Sequence, residues 1–171
     1  ERPFLDTVNN SAGDVLIRGR NISIIEGSQI SASTLSNLSA GVIDIIASEE
    51  IKISGKGDFG QSGIFATVQN DISNDPSELA TGKGHEIILR AEKLSLRDSA
   101  LIAASTFGLG SSGNIIVNTD ELIIDSSQIF VSTFDRGNAG NLSIEAKSIE
   151  ISGVVFMDVC SPPTYLDQLV V

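Results

Sequence analysis

A unit of about 27 residues recurs along the chain, and self-similarity at a fixed period limits the available folds more than any other feature. Gly113-Asn114-Ile115-Ile116-Val117 returns as Gly140-Asn141-Leu142-Ser143-Ile144, 27 positions on. Thr106-Phe107 returns as Thr133-Phe134 at the same spacing, and Ser31-Ala32-Ser33-Thr34-Leu35 is an earlier copy of Val131-Ser132-Thr133-Phe134. Gly13 precedes Gly41 by 28 positions and Gly84 precedes Gly113 by 29. Two independent landmarks that share one period are unlike a chance match.

Each unit holds three short apolar segments. In the clearest unit they are Ile115–Val117, Leu122–Ile124 and Ile129–Val131. Alternation with period two over so few positions predicts strands buried on one face. The intervening stretches are rich in turn formers, as in Asn118–Glu121, Asp125–Ser127 and Asp135–Gly140. Aligned units give apolar columns. One runs Ile17, Ile45, Leu89, Val117, Ile144; a second runs Ile22, Ile51, Leu94, Leu122, Ile149; a third runs Ile24, Ile53, Leu96, Ile124, Ile151. The last segment supplies Ile30, Ile64, Ile102 and Ile129, followed two positions on by Ala32, Ala66, Ala104 and Val131.

Links this short hold no crossover helix. A β-sandwich needs antiparallel hairpins, and the Asn-Gly or Asp-Gly turns that mark them are absent. A propeller blade needs four strands in about 40 residues. A coil with three short strands per turn fits, each strand pairing in parallel with its copy about 4.8 Å away. The expected fold class is therefore all-β, a single-stranded parallel β-helix, or solenoid, forming one domain over residues 1–171. Its units fall at about 13–40, 41–83, 84–112, 113–139 and 140–160, with a tail or cap over 161–171. The second unit is about 15 residues too long. The surplus is expected at 68–84, where Asn70, Asp71, Asn74, Asp75 and Pro76 mark a loop leaving the coil. This insertion is the candidate binding feature, because insertions in solenoids project from one face.

Composition narrows the partners. Lys plus Arg is 11 and Asp plus Glu is 22, for a net charge of −11. The basic footprint of a nucleic-acid binder is missing, so no nucleic acid is expected. No apolar run approaches the ~20 residues of a membrane-spanning helix, so no transmembrane segment is expected. The lone Cys160 allows no internal disulfide, and its neighbours Val159, Ser161 and Pro162 give it no electropositive setting. The chain opens at Glu1 without a basic or apolar leader-like stretch, which leaves a leader upstream open.

Ser28-Gln29-Ile30-Ser31-Ala32-Ser33-Thr34-Leu35 and Asp135-Arg136-Gly137-Asn138-Ala139-Gly140-Asn141-Leu142 resemble the repeats of filamentous-haemagglutinin-like exoproteins, especially the large cyanobacterial surface proteins of two-partner secretion systems. The resemblance covers roughly residues 12–153. It implies a right-handed winding, export across the outer membrane with a secretion partner, and adhesion or surface coating. The Asn-Pro-Asn-Gly type of signature found in the amino-terminal secretion domain of such exoproteins does not occur, so the resemblance is to a distal segment. Past Gly153 the repeat decays, and Ser161-Pro162-Pro163 stops strand pairing.

Chemistry-bearing constellations are sparse. Parallel β-helices also carry pectin-lyase-like activity, so a carbohydrate-active domain that binds or cleaves polysaccharide is the alternative function. A glycosidase needs two carboxylates facing one groove. Asp44, Glu49, Glu50, Asp120, Glu121, Asp125, Glu145 and Glu150 are spread through the units, as solvated β-surface charges would be. A lyase would set a basic residue beside calcium-binding carboxylates; Arg18, Arg20, Arg90, Arg97 and Arg136 are available without a distinctive motif. His85, the only histidine, forms no metal pair and no triad. Calcium would draw on Asp58 and the 70–75 cluster, but no calcium-loop spacing is present. No catalytic residue, cofactor or metal is expected. Asn114 and Asn141 read as an internal ladder bonding turn backbone and each other. Thr34, Thr106 and Thr133 read as a second stack, beside Leu35, Phe107 and Phe134. The expected function is a non-enzymatic segment of a secreted or cell-surface exoprotein, serving as stalk or adhesin. Its expected partners are host or neighbour-cell surface glycans or matrix.

Overall fold

The computed structural model describes residues 11–35, 37–58, 60–70 and 79–161. These residues form strands and turns, with no helix among them. In chain order the strands are β1 (Val15–Ile25), β2 (Gln29–Ser31), β3 (Thr34–Leu35), β4 (Ile43–Ser54), β5 (Lys56–Gly57), β6 (Gly60–Gln61), β7 (Gly63–Phe65), β8 (Val68–Gln69), β9 (Ile87–Arg97), β10 (Leu101–Ala103), β11 (Ile115–Asp125), β12 (Gln128–Ser132), β13 (Leu142–Ser152) and β14 (Phe156–Cys160).

Two five-stranded sheets dominate. One runs β1-β4-β9-β11-β13 and the other β2-β7-β10-β12-β14, each in chain order and parallel throughout. Every strand thus hydrogen-bonds to its counterpart one unit on. The registers join the residues of each sequence column. Ile17 pairs with Ile45, Ile45 with Leu89, Leu89 with Val117 and Val117 with Ile144. In the second sheet Ile30, Ile64, Ile102 and Ile129 form one ladder, which Met157 extends. The inward side chains of both sheets belong to one core cluster, in which Ile45, Ile51, Ile53, Ile64, Leu96 and Ile102 are fully buried or within 1% of it.

Three departures from the sequence expectation follow from backbone geometry. First, the expected first and second strands of each unit are continuous, as in β11. The ladder still lapses at Asp120, and the buried positions change phase there, from Ile115, Val117 and Thr119 to Leu122 and Ile124. A corner without a loop swaps which parity faces the core. Second, the surplus of the second unit is divided. Nine positions separate Ser54 from Gly63, where four separate their partners Arg97 and Leu101. The extra length there is an antiparallel hairpin, β5 with β6, turning through Asp58. Third, Val68 and Gln69 remain in strand β8, paired with Thr34 and Leu35, so the second surplus begins at Asn70.

The turn between the two sheets keeps one left-handed position in every unit, although the residue after it has positive φ only at Gly27 and Ser99. Glu26, Gly55, Asp98, Ser126 and Gly153 occupy one place in successive units and all have positive φ, between 48° and 83°. Sequence gave no uniform sign of this turn, since only two of the five positions are glycine.

Candidate functional site

The outer face of the second sheet holds two adjoining concavities. Side chains that alternate with the buried isoleucines point outward, and along one ladder they are small or aromatic from Ser31 through Phe65 and Ala103 to Phe130, ending at Asp158. Phe65, Ala103 and Phe130 are consecutive ladder partners, so a small residue sits between two rings. Beside them Ser33, Thr67, Ser105 and Ser132 follow one another along the units. Phe107 and Phe134 stack face to face, 4.5 Å between centroids and 8° from parallel, while remaining 40% and 60% exposed. All of these except Ser132 line a groove of about 400 Å³, joined by Gln29, Ser31, Gln69 and Leu101. A second hollow of about 300 Å³ continues it past Phe130 and Phe134 to Asp158 and Cys160.

Local hydrogen bonds hold the groove's side chains. Ser33 Oγ accepts from Ser31 at 2.8 Å and from Thr67 at 2.9 Å. Below the aromatic stack, Thr106 donates to the Ser111 carbonyl at 3.2 Å and Thr133 to that of Gly137 at 2.8 Å; Thr34 closes the equivalent loop onto Leu38 at 2.7 Å. Val68 takes this place in the enlarged second unit, between Thr34 and Thr106. The expected threonine stack is thus a set of loop closures interrupted by one valine.

The acids lie elsewhere. Asp44 bridges Arg18 and Arg90 at 2.7 and 2.9 Å. Glu49 meets Arg20 at 2.6 Å, Glu121 meets Lys93 at 3.1 Å and Asp125 meets Arg97 at 3.3 Å. Glu50 accepts from Ser95 at 3.2 Å. Each tie crosses between units, which makes these charges inter-strand contacts. Two candidate acids do share a concavity. Asp120 and Glu145 line an open hollow of about 460 Å³ at the corner of the first sheet, both exposed, with Asp120 held by Lys147 at 2.8 Å. Glu150 is exposed. Arg136 is exposed and lies 4.0 Å from Asp135.

Of the candidate binding insertion, only Asn70 is among the described residues; Asp71, Asn74 and Asp75 lie outside them. Asn70 uses both ends of its amide. Its Nδ2 donates to the Phe107 carbonyl at 3.1 Å and its Oδ1 accepts from Ala80 N–H at 2.8 Å. It stitches the base of the insertion to the next unit. Asn114 acts similarly. Its Oδ1 accepts from the Asn141 backbone at 2.9 Å, and Asp14 accepts from Val42 N–H at 2.9 Å one column end earlier. Asn114 Nδ2 turns back to Glu86 at 3.3 Å, so this column bonds turn backbone without amide-to-amide contacts.

His85 and Cys160 are exposed. Among the described residues no three of His, Cys, Asp and Glu gather as a metal site, and no helix is long and apolar enough to cross a membrane. Sequence reasoning passed over Phe65 and Phe130. The signal was present, because each directly follows a column isoleucine, Ile64 or Ile129, and so alternates outward.

No family model, curated protein or solved structure matches the chain.

Proposed function

We propose that this chain is a non-enzymatic segment of a secreted or cell-surface exoprotein, a stalk or adhesin whose two sheets wind as a right-handed single-stranded parallel β-helix. The observation that carries the reading is the consecutive parallel ladder through all five units. A strand paired in parallel with its own copy a unit later needs a connection that travels round. Here the second sheet and the turns are that connection, and crossovers of this kind are overwhelmingly right-handed. The resemblance to filamentous-haemagglutinin-like repeats points the same way and supplies the expectation of an outer-membrane secretion partner.

Two further observations support a binding surface over a catalyst. Among the described residues the main groove is lined without a carboxylate, and five of the eight candidate acids are tied to Arg or Lys. Asp120 and Glu145 share an open hollow and are the pair against which a pectin-lyase-like activity is tested. The test pairs chemistry with location. Purified chain is incubated with polygalacturonate and with neutral polysaccharides, and new reducing ends and unsaturated products are measured; none above the blank are expected. On intact cells making the full-length protein, added protease should remove the segment. Turnover that disappears in Asp120→Asn or Glu145→Gln overturns the non-enzymatic reading, and complete protection from protease overturns the surface assignment.

A further inference from the structure

We infer that the groove on the outer face of the second sheet is a binding site for an uncharged glycan chain. This deepens the adhesive reading above and rests on it. The molecule carries a net charge of −11, yet among the described residues the main groove is lined by no charged side chain. A charged polysaccharide would find no counter-ion there, and an anionic one would meet the acidic field of the whole molecule. A neutral, amphipathic ligand is the complement of such a surface.

The shape also fits a sugar. Phe65 and Phe130 are two units apart, about 9.6 Å at the usual strand spacing, and Ala103 between them is 7% exposed at the bottom of the notch. The rings offer apolar walls on which the C–H face of a pyranose can lie, and Phe107 over Phe134 extends the wall. Hydroxyls complete the site. Ser105 lines the main groove and Ser132 the adjoining hollow, both 4% exposed, and neither forms a side-chain hydrogen bond among the described residues. Their hydroxyls are the groups offered to sugar hydroxyls. Pockets of a few hundred Å³, mostly apolar with a few polar groups, are the usual form of such sites. An extended peptide is a poorer occupant. The backbone groups of β7, β10 and β12 beneath the groove are spent on parallel ladders, so strand addition, which recognises main chain at a sheet edge, has nothing to bond within the groove.

Ala103→Phe tests the site by filling it. The adjacent Phe107–Phe134 stack shows that rings on neighbouring units fit at 4.5 Å, so the added ring should stack between Phe65 and Phe130 and leave the core intact. Binding is measured by calorimetry against cellohexaose, mannohexaose and xylohexaose as neutral probes, with hexagalacturonate as the charged one. At least one neutral oligosaccharide should bind the wild-type chain, with an affinity little changed by salt and reduced at least tenfold in Ala103→Phe. Phe130→Ala should weaken it too, with an unchanged thermal transition showing that the variant is folded. No binding of any neutral probe, equal binding by Ala103→Phe, or preference for hexagalacturonate each overturns the inference, as does displacement of the sugar by an apolar peptide at lower concentration. These outcomes separate from the surface assignment: a protease-accessible segment that binds no neutral glycan leaves the stalk reading standing, whereas turnover of a bound glycan leaves the site standing and removes the non-enzymatic reading.

Discussion

Thr133 is 3% exposed and donates its hydroxyl proton to the carbonyl of Gly137, closing the loop that carries Phe134. Val68 occupies the equivalent ladder position two units earlier, with Thr106 between, so a valine methyl fits this column. Thr133→Val should therefore cost only the lost hydrogen bond and the carbonyl left without its donor, about 1–3 kcal/mol, read as a lowered denaturation midpoint with an unchanged slope. The turn between the sheets makes a second prediction. A Cβ on Gly55 would meet only the Glu26 backbone nitrogen, at 3.7 Å, but φ there is 83°. Gly55→Ala should destabilise by about 1–2 kcal/mol through the left-handed backbone alone. Sequence could not announce this turn, because Glu26, Asp98 and Ser126 adopt the same conformation with ordinary side chains.

At the scale of strands, burial depends on having a unit on both sides. Leu122 and Ile149 are ladder partners in one column, yet Leu122 is fully buried and Ile149 is 53% exposed. Among the described residues strands β13 and β14 have no further strand beside them, and Ile151, Met157 and Val159 are likewise about half exposed. Leu122→Ala should cost about 2–5 kcal/mol, in the range of other buried leucines, and Ile149→Ala much less than that. Comparable losses by chemical denaturation would contradict the view that each unit is buried by its neighbours. The columns themselves were readable because a parallel ladder stacks identical positions, so the same residue type is selected in every unit. Gly113 and Gly140 were readable for another reason: a Cβ on either would run into the backbone of the unit before it. The β5–β6 hairpin was not, since the two positions between the paired Gly57 and Gly60 read Asp-Phe in the sequence and not Asn-Gly or Asp-Gly. Nor was the groove, because its walls are single phenylalanines in different units, at positions that vary from unit to unit and so form no column of like residues.

Across the whole molecule the charges, the core and the groove are arranged by one repeating geometry. Ion pairs join units on the first sheet, hydroxyls and rings line the outer face of the second, and one apolar cluster runs beneath both. The proposed winding makes distance along the axis a simple function of unit number. Ser23, Lys52, Ser95, Ile123 and Glu150 are successive ladder partners, and Ser23, Lys52 and Glu150 are exposed. Spin labels can be placed on cysteines at these sites in a Cys160→Ser background. Four strand spacings separate Ser23 from Glu150 and three separate Lys52 from it, which predicts backbone separations of about 19 and 14 Å. The most direct measurement is the pair of label distances by electron paramagnetic resonance. Two narrow distributions differing by about one strand spacing, about 5 Å, are the predicted result; broad distributions, or a Ser23–Glu150 distance no longer than that of Lys52–Glu150, would contradict the stacked coil.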